Sequence, residues 1–85
     1  ATLIESGYLN IGDKLSSKNE KYKAEIAVDG NIVSNDIRGS IHKVGAQVQD
    51  IEACNGWDFW FKQDGDKLTN IDHYREKYLK DHELI

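Results

Sequence analysis

Tyr22, Ala24, Ile26 and Val28 recur at every second position and run directly into Asp29-Gly30. A period of two belongs to a strand with one face buried, because successive side chains point to opposite sides of a sheet. Asp29-Gly30 is a hairpin signal: both central residues of a type I′ turn need positive φ, and Asp and Gly tolerate it. Ile32 and Val33 begin the return strand, and Asn35-Asp36 ends it. A lone hairpin is marginally stable in water, so the rest of the chain must add strands and a covering layer. Trp57 to Lys62 is aromatic and reads as a further strand. Trp57, Phe59 and Phe61 would share one side, with Asp58, Trp60 and Lys62 on the other. Gly12-Asp13 leads into a short strand near Leu15, and Asp64-Gly65 is a second turn signal.

The helical segments announce themselves by capping patterns. Thr2-Leu3-Ile4-Glu5 has the spacing of a capping box, and Gly7 suits the residue just past a short helix. Ser40 to Gln49 reads as a helix, with Ile41, Val44 and Val48 on one stripe and Ser40, Lys43 and Gln47 facing outward. Thr69-Asn70-Ile71-Asp72 is another capping box, opening a terminal helix with Ile71, Tyr74 and Tyr78 as its apolar stripe. The expectation is an α+β domain. A small antiparallel sheet of about three to four strands packs with a short N-terminal, a central and a C-terminal helix. Its 85 residues suit one domain, with two Trp, four Tyr and two Phe as core anchors. The opening residues read as if cut from a longer protein. Single Cys54 cannot form an internal disulfide, and neither a leader nor a ~20-residue apolar span is visible, so a cytoplasmic location is expected.

Charge bears on partners. The net charge is −4, which counts against nucleic acid, since phosphate contacts usually come from a basic face. The distribution softens this. From Ile37 to Gln49 no acid occurs, while Arg38, His42 and Lys43 lie inside. Enzymatic readings find little support. Cys54, His42 and Asn55 are residue types of a thiol nucleophile, base and orienter. Nothing beside Cys54 favours its thiolate, and a small half-buried thiol is the simpler reading. One Cys and three scattered His do not make a metal site. Gly39 and Gly45 lack the Gly-Lys-Ser/Thr of a phosphate-binding loop.

Several polar and aromatic residues carry two readings each. Ser40 is an N-cap, or a hydroxyl donor to phosphate or a base edge beside Lys43. His42 is a surface or half-buried histidine, or a contact residue by proximity. Asn55-Gly56 is a turn, or presents an amide to an adenine edge or phosphate. Trp57 is core, or a stacking surface for an unpaired base, and Trp60 takes the role Trp57 leaves. Arg75 pairs with Asp72 three residues back, or meets a phosphate.

Two motifs are specific together: Gly39-Ser40-Ile41-His42-Lys43-Val44-Gly45-Ala46 and Ala53-Cys54-Asn55-Gly56-Trp57-x-Phe59-Trp60. With Leu3-Ile4-Glu5-Ser6-Gly7-Tyr8-Leu9, Gly12-Asp13-Lys14-Leu15, Ala27-Val28-Asp29-Gly30 and Ile71-Asp72-x-x-Arg75, the chain resembles, over nearly its whole length, a bacterial domain. That domain is the C-terminal domain of the cell-cycle-regulated, GANTC-type adenine-N6 DNA methyltransferases. It is also similar to small domains attached to restriction and modification enzymes. The resemblance implies a non-catalytic DNA-binding module. It points to Ser40, Asn55, Trp57 and Arg75 as DNA contacts, with Arg38, His42 and Lys43 added by proximity. It implies double-stranded DNA, intact or locally opened, and the catalytic domain of the same chain as partners, and a parent enzyme that uses S-adenosylmethionine. A homodimer of that parent is a further expected partner, and the nucleoid the expected place of action. This chain has no proline, so it lacks the Asp/Asn-Pro-Pro-aromatic tetrapeptide of such enzymes. No catalytic residue, cofactor or metal is expected here. The rival reading is a dimerisation or docking module of the same enzyme.

Overall fold

A computed structural model describes residues 3–83 and the backbone of Thr2. The elements run α1 (Thr2–Glu5), β1 (Lys14–Ser16), β2 (Lys23–Ile26), β3 (Ile32–Ser34), β4 (Ile37–Gly39), α2 (Ile41–Gln49), α3 (Gly56–Phe59), β5 (Phe61–Asp64), β6 (Lys67–Asn70) and α4 (Asp72–Asp81). The strands form one six-stranded sheet in the order β4-β3-β2-β1-β5-β6, antiparallel at every step. The α+β class holds, and the sheet is wider than the expected three to four strands. The extra strands are β4, three residues and too short to show a period, and β6, four residues whose Thr69-Asn70 end reads as a helix cap.

One face of the sheet is covered and the other is open. On β2, Ala24 and Ile26 are buried while Lys23 and Glu25 are exposed, as the alternation requires. Leu15 sits opposite Ala24, and Ile26 opposite Ile32, so the apolar side chains line up across strands. They form the core with Leu3, Leu9, Val44, Trp60 and Ile71. Each Leu, Ile or Val among them, once fully buried, contributes roughly 1.5–3 kcal/mol. Helix α2 lies against β3 and β4, while α4 lies against β6 and α1.

Local chemistry explains the helix ends. Gly7, at φ 81, closes α1 by donating its N–H to Ile4 O at 3.1 Å, while Tyr8 N–H reaches Leu3 O at 2.9 Å. These are the paired bonds of a Schellman motif. Asp50 does the same for α2 at φ 55, despite its side chain. The expected side-chain cap at Thr2 lies outside the described residues.

Three local expectations are corrected. Trp57 to Lys62 is not one strand: Gly56–Phe59 is a helical turn, and pairing begins at Phe61. Asn55 nucleates that turn by accepting the Trp57 N–H, and this overrides aromatic strand propensity. Thr69 does not cap the last helix. Thr69 and Asn70 pair with Lys62 and Phe61 in β5, and Asn70 Oδ1 instead accepts the Asp72 N–H at 3.3 Å. The Asp29-Gly30 turn is wider than type I′. Gly30 alone has positive φ, at 85, and Ala27 both accepts from Gly30 N–H and donates to Asn31 O. That is a turn followed by a left-handed glycine, the common longer hairpin connection.

Candidate functional site

The two sequence motifs meet where α2 and α3 begin. Ser40 is the N-cap of α2, its Oγ accepting the Lys43 N–H at 3.1 Å. Asn55 is the N-cap of α3: its Oδ1 accepts the Trp57 N–H at 3.1 Å and its Nδ2 donates to Asp58. The helix starts are pressed together. A Cβ on Gly56 would fall 2.6 Å from the Ile41 carbonyl carbon, so only glycine fits. The Gly56 N–H donates to His42 Nδ1 at 2.9 Å. Gly45 leaves room for Cys54, Phe59 and Trp60, and Trp60 Nε1 donates to Ile41 O at 3.0 Å. Much of the motif's specificity is therefore an interlock of two helices around a fully buried Trp60. Trp60 is the core tryptophan.

Trp57 faces the other way, toward α4. The Arg75 guanidinium carbon stands 4.9 Å from the Trp57 ring centroid, a cation–π contact. Arg75 also pairs with Asp72 at 2.7 Å, as its i,i+3 spacing allows. Between α1 and α4 on one side and α2 and α3 on the other lies a cleft of about 570 Å³. The half-buried Ile4, Ile41 and Leu79 give it an apolar floor, and Ser40, His42, Trp57 and Arg75 give it a polar and aromatic rim. No Asp or Glu lines it.

The remaining sequence-chosen residues fall in different places. Lys43 is exposed on α2, its stem folded back over Gly39, where a Cβ would meet Lys43 Cδ at 2.8 Å. Among the described residues it has no ion-pair partner. Asn55 is exposed beside Trp57 without lining the cleft. Arg38 is not part of the cluster. It sits on the edge strand β4 and is held by Asp29 at 2.8 Å, because proximity in sequence to Ser40 ends where β4 turns into α2. Asn31 and Tyr78 line the cleft and were not singled out in the sequence. Tyr78 was visible only as an apolar stripe residue, and Asn31, between the Asp29-Gly30 turn and the return strand, carried no signal of its own.

Cys54 is ill suited to nucleophilic work. Burial pushes its thiol above the usual value, and a Gln49 amide at 3.5 Å only partly opposes this. His42 Nδ1 is already engaged by Gly56. Among the described residues, no three His, Cys, Asp or Glu side chains are grouped to hold a metal. No helix among them is long and apolar enough to cross a membrane.

Residues 1–84 match the family described as Restriction Enzyme Adenine Methylase Associated, abbreviated RAMA. The chain belongs to the RAMA family. A relative, the type II methyltransferase M.HinfI of Haemophilus influenzae, is 34% identical over 77 residues, covering 91% of this chain and 21% of that protein. The chain thus spans about a fifth of the length of the curated relative it matches. Seen as a RAMA domain, the chain keeps its motif residues where α2, α3 and α4 face one another. The N-caps, the interlocking glycines and the cleft rim all belong to that junction.

Proposed function

We propose that this RAMA domain is a non-catalytic DNA-binding module of a larger DNA adenine-N6 methyltransferase, placed C-terminal to the catalytic domain. The observation that carries the reading is the convergence of Ser40, His42, Trp57 and Arg75 on a cleft with no Asp or Glu in its lining, in a chain of net charge −4, with Asp72 paired to Arg75 at its edge. The family's description and the methyltransferase relative support the parent activity. The parent would move a methyl group from S-adenosylmethionine to adenine N6 within GANTC, in the bacterial cytoplasm at the nucleoid and in step with the cell cycle. It would act as a monomer or a homodimer.

Phosphate would meet the start of α2. Unpaired N–H groups and the helix dipole favour an anion there, and Lys43 adds a cation without a competing acid. The Trp57–Arg75 pair and the Asn55 amide would stand beside it. So few cations imply modest affinity and a shallow salt slope, about −0.9 in log K against log salt for each phosphate neutralised. Such a module would hold the duplex while the catalytic domain extracts its adenine, a step that costs unstacking energy.

The test is binding of the 85-residue chain to a labelled GANTC duplex at low and moderate salt. Lys43→Glu and Arg75→Ala should each abolish binding while the fold is retained. Ser40→Asp keeps an N-cap oxygen but adds negative charge. It should melt like the parent chain and bind poorly. Binding unchanged in all of these variants would sink the reading. Self-association that survives Lys43→Glu, without DNA binding, would favour the rival docking module, whose apolar contacts could include Ile11, Val28 and Ile51.

A further inference from the structure

We propose that the cleft between α4 and the α2–α3 pair seats a single unpaired nucleotide of the bound strand. Its base would enter over the apolar floor and its phosphate would stay at the rim. The inference rests on the DNA reading above and goes beyond it by naming what the cleft holds. Selection by charge is the first argument. The chain carries 15 acids against 11 Lys and Arg, and none of those acids lines this cleft. The other large cavity, about 680 Å³, mixes Asp64 and Asp81 with Lys67 and Lys77 and so selects no sign of charge.

The second argument is the kind of polar group displayed. The Gly56 N–H donates to His42 Nδ1, which leaves the ring proton of the neutral imidazole on Nε2. Ser40 Oγ already accepts from Lys43 N–H, so its own hydrogen remains to be given. Arg75 Nε and Asp72 Oδ1 are both shielded from solvent without a hydrogen-bond partner, while the two side chains pair at 2.7 Å. The rim therefore offers donors to an acceptor-rich, anionic group. Asn31 Nδ2 donates to Asp29 at 3.4 Å, which leaves the amide oxygen to accept at a base edge.

The third argument is shape and surface. About 570 Å³ is within the range of small-ligand sites, and the floor is apolar. Arg75 covers one face of Trp57, so the stacking element is the pair rather than a bare indole. A planar base with a phosphate attached satisfies floor, wall and rim together. A base still paired inside a duplex cannot reach the floor, so the cleft discriminates by pairing state.

The experiment compares two duplexes of one sequence with the 85-residue chain. In one, 2-aminopurine lies in a single-nucleotide bulge; in the other it is paired with thymine. The bulged duplex should bind about tenfold more tightly, with a change in 2-aminopurine fluorescence that the paired duplex does not show. Leu79 lines the cleft one helical turn after Arg75, and Leu79→Trp should fill it. That variant should lose the preference and keep its affinity for the paired duplex. Asn31→Ala, a smaller change, should weaken the preference should Leu79→Trp fail to fold. Equal binding of both duplexes, or a preference that survives both variants, overturns the cleft proposal and leaves the DNA module standing. Absence of binding to either duplex overturns both.

Discussion

A methyl group on Gly56 would lie 2.6 Å from the carbonyl carbon of Ile41, and backbone cannot swing aside as a side chain can. Gly56→Ala should therefore lower stability by about 3 kcal/mol, the upper end for overpacking, in urea unfolding. An unchanged midpoint would show that the two helix starts are not locked as described. Gly39 makes the opposite case. Its nearest obstacle is the flexible Lys43 stem, so Gly39→Ala should cost far less. Cys54 supplies a chemical check. Because burial raises its thiol, alkylation by iodoacetamide at pH 8 should be slower in the folded protein than in urea. Equal rates would mean an open, ordinary thiol. The sequence showed Ser40 and Asn55 as cap or contact, and the structure gives both a capping bond without excluding contact. It could not choose between Trp57 and Trp60. That choice depends on which ring the Ile41 carbonyl can reach, and Ile41 lies far from both in sequence.

At the level of elements, α3 is the instructive failure of pattern reading. An aromatic run with strand propensity becomes a single helical turn because Asn55 satisfies an N–H at its start and Gly56 permits close approach. Asn55→Ala should cost about 1 kcal/mol, as for other lost N-caps, while Asn55→Asp keeps the accepting oxygen and should cost much less. Paired thermal melts read the difference, and equal losses would mean that the cap is not what holds the turn. Strand β4 was missed for a different reason. Ile37–Gly39 is too short for periodicity, and its pairing with β3 is secured partly from outside, by Arg38 reaching Asp29 on the preceding hairpin turn. The hydrogen bond from Arg38 holds the Asp29 carboxyl below its ordinary value. Central helix α2, by contrast, was legible from end to end, since its cap and its Ile41, Val44 and Val48 stripe are written in consecutive residues.

Across the whole molecule, the first and last helices are tied by Tyr8. Its hydroxyl donates to Asp81 at 2.7 Å and its ring meets Tyr78 edge-on at 5.6 Å. The bond to Asp81 raises the Tyr8 pKa above 10.0. Its contribution to stability is full below that ordinary value and is lost as pH rises through the raised one. Tyr8→Phe should therefore flatten the alkaline fall of the melting temperature above pH 10.0, and an unchanged alkaline limb would refute the tie. The sheet has the same long-range character: β1, early in the chain, pairs with β5, which follows two intervening helices. The sequence by itself determined the α+β class, the β2–β3 hairpin, the central and terminal helices and the acid-free window. Each is encoded in the periodicity, turn chemistry or charge of neighbouring residues. Only the tertiary structure decided the strand order, the burial of Trp60, the exclusion of Arg38 and the meeting of Ser40, His42, Trp57 and Arg75 around one cleft. Those outcomes depend on contacts between segments distant in the chain, and such contacts are set by how the segments pack together.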